Sequence, residues 1–136
     1  EYVEKISRIL KIERRAINTK QLERKRSADK IKHETQAILD SLNPTDYVIL
    51  FDERGETYSD SNSFSKSIVK IISDRQGRVI FLIGGAFGVG DEIVKRANHV
   101  VSLSGLTMNH HVAQLVALEQ IYRSLTIWRG LPYHND

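Results

Sequence analysis

The sequence predicts an α/β fold, a mostly parallel sheet flanked by helices on both faces. Tyr47-Val48-Ile49-Leu50-Phe51 and Val79-Ile80-Phe81-Leu82-Ile83 are short continuous apolar runs, the mark of strands buried on both sides. Helical periodicity fills the stretches after them, so strands and helices alternate along the chain. That order builds right-handed βαβ units and a parallel sheet.

Tyr2, Ile6, Ile9 and Leu10 recur at helical spacing and predict the tail of an amphipathic helix over residues 1–10. The alternation Leu10, Ile12, Arg14, Ala16 suits a short edge strand over 10–17, and Asn18 to Arg26 reads as a basic loop. Ser27 can cap a second helix whose apolar face is Ala28, Ile31, Thr35, Ile38, Leu39 and Leu42, with Asn43-Pro44 ending it. After the first strand, residues 52–60 read as a polar loop. Phe64, Ile68, Ile71 and Ile72 then mark a third helix, closed at Gln76-Gly77. The second strand enters Gly84-Gly85-Ala86-Phe87-Gly88-Val89-Gly90, after which Asp91 can cap a short helix to about Ala97. His99 to Leu103 is the third strand, and a last helix is expected from about His110 to Thr126.

The 136 residues are 40% hydrophobic and 27% charged, which predicts one globular domain, 1–136, with a basic N-terminal segment (1–45) and a ligand-binding segment (46–136). No apolar run approaches the roughly 20 residues that span a bilayer, and there is no signal-peptide pattern. Cysteine is absent, which excludes disulfides, thiolate catalysis and Cys-based metal sites, so a reducing, cytoplasmic setting is expected. The chain opens at Glu1 without a methionine and inside a helical pattern, which reads as a shortened N-terminus. Residues 1–40 hold 11 Lys/Arg against 7 Asp/Glu, while the rest of the chain nets −1. Between Lys11 and Lys32 nine basic residues face three acidic ones, which suits either a phosphate backbone or a solvated face.

Ligands of an open parallel sheet sit beyond the carboxyl ends of its strands. Three segments qualify: the loop after Phe51, the glycine run, and Ser104 to His110. The run lacks Gly-Lys-Ser/Thr and is spaced G-G-x-x-G-x-G, so it is neither a P-loop nor a dinucleotide fingerprint. Four glycines in seven residues allow close approach of a flat ligand, or serve a plain turn. On the last helix, Glu119 and Arg123 form an i, i+4 pair continuing an apolar stripe. The spacing leans towards a surface ion pair; the other reading is a partly buried site or subunit contact. His110, His111 and His134 lie towards the C-terminus without metal-ligand spacing, so no metal is expected.

Leu82-Ile83-Gly84-Gly85-Ala86-Phe87-Gly88, the block from Ser102 to His110 (Ser-Leu-Ser-Gly-Leu-Thr-Met-Asn-His), Glu119-Gln120-Ile121-Tyr122-Arg123 and Pro132-Tyr133-His134 together resemble the bacterial large-subunit ribosomal RNA methyltransferase H family. Their order and spacing match through residues 46–136, and residues 1–45 match in pattern only. The resemblance implies an α/β-knot (SPOUT) fold with a C-terminal trefoil knot. It also implies a homodimer that uses S-adenosylmethionine to methylate N3 of a pseudouridine in 23S rRNA of the assembled ribosome. Carried over by position, the cofactor is expected at Phe51, Gly85, Leu103, Ser104, Gly105, Leu106, Thr107 and Met108. Phe51 stands where the family usually has Leu, and Asn109 where Pro usually precedes the histidine. The family begins with a strand that this chain lacks.

Methyl transfer to an imide nitrogen needs in-line positioning and a group to take the N3 proton. His110, Tyr133 and His134 are the candidates for that proton, and Glu119 and Arg123 for organising the tail or gripping substrate. In a dimer the tail can act on the other subunit's cofactor. The RNA is expected to be held through phosphates by Arg14, Arg15, Lys20, Arg24, Lys25, Arg26 and Lys30. The rival readings are a flavodoxin-like nucleotide-binding module and a non-catalytic ribosome-associated protein that keeps the fold.

Overall fold

The computed structural model describes residues 1–16, 27–84 and 88–135, the side chains of residues 27, 28 and 30 aside. In chain order the elements are α1 (Tyr2–Ser7), α2 (Ser27–Ser41), β1 (Tyr47–Thr57), α3 (Ser61–Asp74), β2 (Val79–Ile83), α4 (Asp91–Arg96), β3 (His99–Ser102) and α5 (His110–Arg129). The strands form a parallel sheet in the order β2-β1-β3. The α/β class with helices around a parallel sheet is therefore borne out.

Period-two alternation explains why the runs in β1 and β2 are wholly apolar. Ile49, Phe51 and Val101 face α1, α3 and α5, and pack with Ile6, Phe64, Ile68, Ala117, Ile121 and Leu125. Leu50 points the other way, into a smaller cluster with Ile38 of α2 and Ile93 of α4. Both faces of the sheet are covered, so neither tolerates polar residues.

At the amino ends of the strands, the buried Asp46 carboxylate takes a forked ion pair from Arg78, at 2.9 and 2.6 Å. Arg96 donates to the carbonyls of Asn43 and Asp46. Asn98 Oδ1 accepts from Val48 N at 2.8 Å, which docks β3 beside β1.

Several expectations need correction. Residues 10–16 form no strand, because the segment has no partner strand among the described residues and its apolar side chains Leu10 and Ile12 pack on the core instead. Residues 52–57 are not a loop. β1 continues to Thr57, with the register jumping so that Val101 is partnered by both Phe51 and Glu56. Gly55 permits this, since a Cβ there would stand 2.5 Å from the Val100 carbonyl carbon. α1 stops at Ser7, β3 at Ser102, and α5 runs three residues past Thr126. Gly90, not Asp91, is the N-cap of α4.

Candidate functional site

α5 ends on Gly130, whose φ of 66° is the left-handed conformation that glycine takes at no steric cost. Its N–H caps Ile127, and Leu131 N–H returns to Thr126 O at 2.9 Å. Pro132 follows, and the chain doubles back along its own helix. Tyr133 and His134 therefore come to rest beside residues two turns earlier.

The result is a connected cluster. Arg123 grips Glu119 Oε1 through Nε, at 3.0 Å, and Nη2. Its Nη1 lies 3.0 Å from His134 Nδ1. A guanidinium has no lone pair to offer, so Nδ1 is the acceptor and the ring is the neutral Nε2–H tautomer in this arrangement. The Tyr133 hydroxyl donates to the same Glu119 Oε1 at 3.1 Å, and the guanidinium lies 4.8 Å from the Tyr133 ring centre. Tyr122 meets that ring edge-on at 4.7 Å, and Tyr2 of α1 brings its hydroxyl to 3.5 Å from that of Tyr133. The hydrogen bond with Tyr2 and burial push the Tyr133 phenol well above its ordinary value, as does its bond to Glu119. It is a donor, not a base, at neutral pH. Glu119 in turn raises Arg123 further, chiefly by direct hydrogen bonding.

The expected surface ion pair is thus corrected: side-chain exposures of 24% and 20% place Arg123 and Glu119 partly inside the molecule, under the returning tail. Sequence spacing places the two on one stripe but says nothing of the cover. Four of the five expected catalytic residues meet in this cluster. His110 does not join it. It opens α5, its ring 4.0 Å from that of His111, about 13 Å along the axis from Glu119.

Phe51 is in register with Ile83 on one side and Val101 on the other, so the segments following β2 and β3 emerge together. The Phe51 ring itself is core, packed at 6.1 Å on Phe81 and 6.4 Å from Phe64. Gly85 lies outside the described residues. The segment from Leu103 to Met108 leaves β3 as a tight turn: Ser102 Oγ donates to Ser104 O, and Ser104 Oγ accepts from Leu106 N. Gly105, Leu106 and Thr107 are exposed, Leu106 at 79%. Asn109, in place of the expected proline, caps α5 by accepting from His111 N at 2.8 Å.

Arg54 belongs to none of the sequence motifs. It forks onto Asp52 and also reaches Val89 O and Asp91, both at 3.2 Å, tying β1 to the end of the glycine run. A pocket of about 180 Å³ opens between the start of α3 and the end of β3, lined by residues that include Asp60, Ser61, Leu103 and Gln120.

Of the expected RNA contacts, Arg14 and Arg15 are exposed, with Arg15 only loosely paired to Glu13 at 3.3 Å. Lys20, Arg24, Lys25 and Arg26 lie outside the described residues. Lys30 is in α2, its side chain not described. Among the described residues no helix is long and apolar enough to cross a membrane, and no group of acidic or histidine side chains is placed to hold a metal.

Comparison with known proteins shows the family. The family model described as a predicted SPOUT methyltransferase matches residues 1–134, and the chain belongs to that family. Within it the chain is similar to proteins named ribosomal RNA large subunit methyltransferase H. The one from Bdellovibrio bacteriovorus is 45% identical over 98% of this chain and 85% of its own length. That of Cytophaga hutchinsonii is 42% identical over 76% of this chain and 66% of its own length. The protein of Parabacteroides distasonis is 32% identical over the whole chain and 87% of its own length.

Proposed function

We infer that this chain transfers a methyl group from S-adenosylmethionine to N3 of a pseudouridine in 23S rRNA, acting on the assembled ribosome as a homodimer. The observation that carries the reading is the seating of Tyr133 and His134 on Glu119 and Arg123, in a chain belonging to a methyltransferase family. The names of its relatives supply the substrate class. The knotted C-terminal path expected from the resemblance belongs to the same reading.

The residues present fit the cofactor. Among the described residues nothing lies within 4 Å of a Cβ added at Gly88 or Gly105, and the exposed Leu106 offers an apolar edge to a flat ring. Leu103 to Met108 would hold it together with Gly85 and the backbone level of Phe51. When bound, S-adenosylmethionine supplies an electrophilic methyl group on a positively charged sulfur. Ser104, Leu106 and their neighbours would line its site and set its orientation.

Proton handling falls to His134. While Arg123 occupies Nδ1, the imidazole has no lone pair there to give. Until RNA is bound, the Arg123 Nη1 bond seats the His134 ring; a phosphate that then draws Nη1 away would free the Nδ1 lone pair to take the N3 proton, while the electron pair left on N3 would form the bond to the methyl carbon and the methyl–sulfur bond would break onto sulfur. Glu119 keeps the guanidinium within reach, and Tyr133 donates to Glu119 throughout. Arg14, Arg15, Lys20, Arg24, Lys25, Arg26 and Lys30 supply phosphate affinity. Leu106 in the turn before α5 and Val112 and Leu115 in its first turns, 79%, 49% and 56% exposed, supply an apolar surface for a second copy of the chain.

The test is incubation with unmodified ribosomes and labelled S-adenosylmethionine, followed by mapping of the methylated nucleotide. Label at a single pseudouridine of 23S rRNA is expected. Binding of ATP or FMN but not S-adenosylmethionine in calorimetry would replace the reading with a nucleotide-binding module, and cofactor binding without transfer would leave a non-catalytic relative of the fold. Should His134→Ala and His110→Ala both keep wild-type turnover, the histidine-base step is wrong.

A further inference from the structure

Gln120 joins two features that the mechanism above leaves separate. Its Nε2 donates to Glu119 Oε2 at 3.0 Å, its Oε1 accepts from Ser61 Oγ at 3.0 Å, and its side chain lines the pocket at the start of α3. We propose that Ser61 and Gln120 are positioning residues for methyl transfer: the Ser61 hydroxyl sets the orientation of the Gln120 amide, and the amide holds Glu119. This deepens the reading of the Glu119 cluster and rests on it.

The two ends of a primary amide are nearly alike in shape and opposite in character. A carboxylate only accepts, so Gln120 must turn Nε2 towards Glu119; the reversed amide would set oxygen against oxygen. The Ser61 hydroxyl, by donating to Oε1, favours the correct orientation. With Oε2 held in this way, Glu119 Oε1 is left to receive Arg123 and Tyr133, and Arg123 keeps Nη1 for His134. Ser61 owes its own position to the start of α3. It is the first residue of that helix, directly after Asp60, whose carboxylate accepts from Ser63 N at 2.7 Å. The chain of contacts thus runs from a helix N-terminus to the imidazole of the C-terminal tail.

The experiment compares the wild-type chain with Ser61→Ala, Ser61→Thr and Gln120→Glu, each checked for native circular dichroism. In the ligand-free protein, the Arg123 Nε–H resonance in ¹H–¹⁵N spectra is expected to be shifted and slow to exchange in the wild type. Ser61→Ala should move it towards the position of a free arginine, and Ser61→Thr should bring it back. In methyl transfer to unmodified ribosomes, Ser61→Ala should lower kcat about 3- to 10-fold at unchanged KM for S-adenosylmethionine, the size expected for one hydrogen bond. Gln120→Glu, which faces one carboxylate with another, should lower kcat by about 100-fold and displace the pH profile. The proposal is overturned if Ser61→Ala and Gln120→Glu leave the Arg123 resonance and kcat at wild-type values, or if Ser61→Thr fails to rescue the loss. A wild-type chain that methylates no ribosome would sink the functional reading, while the Arg123 resonance would still decide the positioning role.

Discussion

The Glu119 carboxylate collects four hydrogen bonds, three on Oε1 from Arg123 and Tyr133 and one on Oε2 from Gln120. An arginine is needed opposite it, because only a planar fork can hold the carboxylate through two nitrogens and still reach His134 with a third. Arg123→Lys is therefore expected to fold normally yet lose methyl transfer by about 10- to 100-fold, the loss of several charge-assisted hydrogen bonds. Single-turnover kinetics on unmodified ribosomes checks it. A second residue-scale prediction concerns Asp46. Its carboxyl is held below the ordinary 3.8 chiefly by the Arg78 hydrogen bonds, against the opposing effect of burial. A depressed carboxyl contributes stability that is fully present above pH 3.8 and lost as pH falls through its folded value. Asp46→Asn should thus melt at a lower temperature than the wild type near neutrality, with the gap narrowing as pH falls below 3.8. Thermal melts across pH 2–7 measure it (a gap independent of pH would refute it).

At the scale of elements, two glycines hold the arrangement. Gly55 lets β1 lie directly on the backbone of β3, and Gly55→Ala forces a carbon to within 2.5 Å of Val100. The expected cost is roughly 1–3 kcal/mol or more, read as a lower urea midpoint. Gly130→Ala meets no clash, but strains a left-handed φ of 66° by about 1 kcal/mol. Because the turn at Gly130 seats the tail, its substitution should also loosen Tyr133 and His134, seen as faster amide exchange at residues 131 and 133–135. The elements themselves are largely legible in the sequence. The runs 47–51 and 79–83 are β-strands because apolar side chains must fill both faces, and Phe64, Ile68, Ile71 and Ile72 mark the buried stripe of α3. The continuation of β1 through Asp52-Glu53-Arg54-Gly55 is not legible there. Its residues are polar, and the register with β3 passes over them, resuming only at Glu56 and Thr57.

At the scale of the whole molecule, α1, α3 and α5 cover one face of the sheet and α2 and α4 the other. The start of α5 is left with Val112 and Leu115 half exposed. For the proposed homodimer, the wild type is expected to sediment as two chains and Leu115→Glu as one, at unchanged helix content; an unaltered mass would overturn this contact. The alternation of apolar runs, the helical stripes and the Gly, Pro and Asn punctuation are local facts, so the sequence by itself determined the α/β class and the order of β1 to β3 with the helices between them, while the motif blocks at 82–88, 102–110, 119–123 and 132–134 carried the resemblance to the family. It also named Glu119, Arg123, Tyr133 and His134 as candidates. Which of them meet was a matter for tertiary structure alone. The return of the tail depends on the dihedral angles at Gly130, the shelter of Glu119 and Arg123 on packing from α1 and the tail, and the role of Gln120 on a serine fifty-nine residues away. Periodicity fixes the face on which a side chain lies, and only the path of the chain decides what lies against that face.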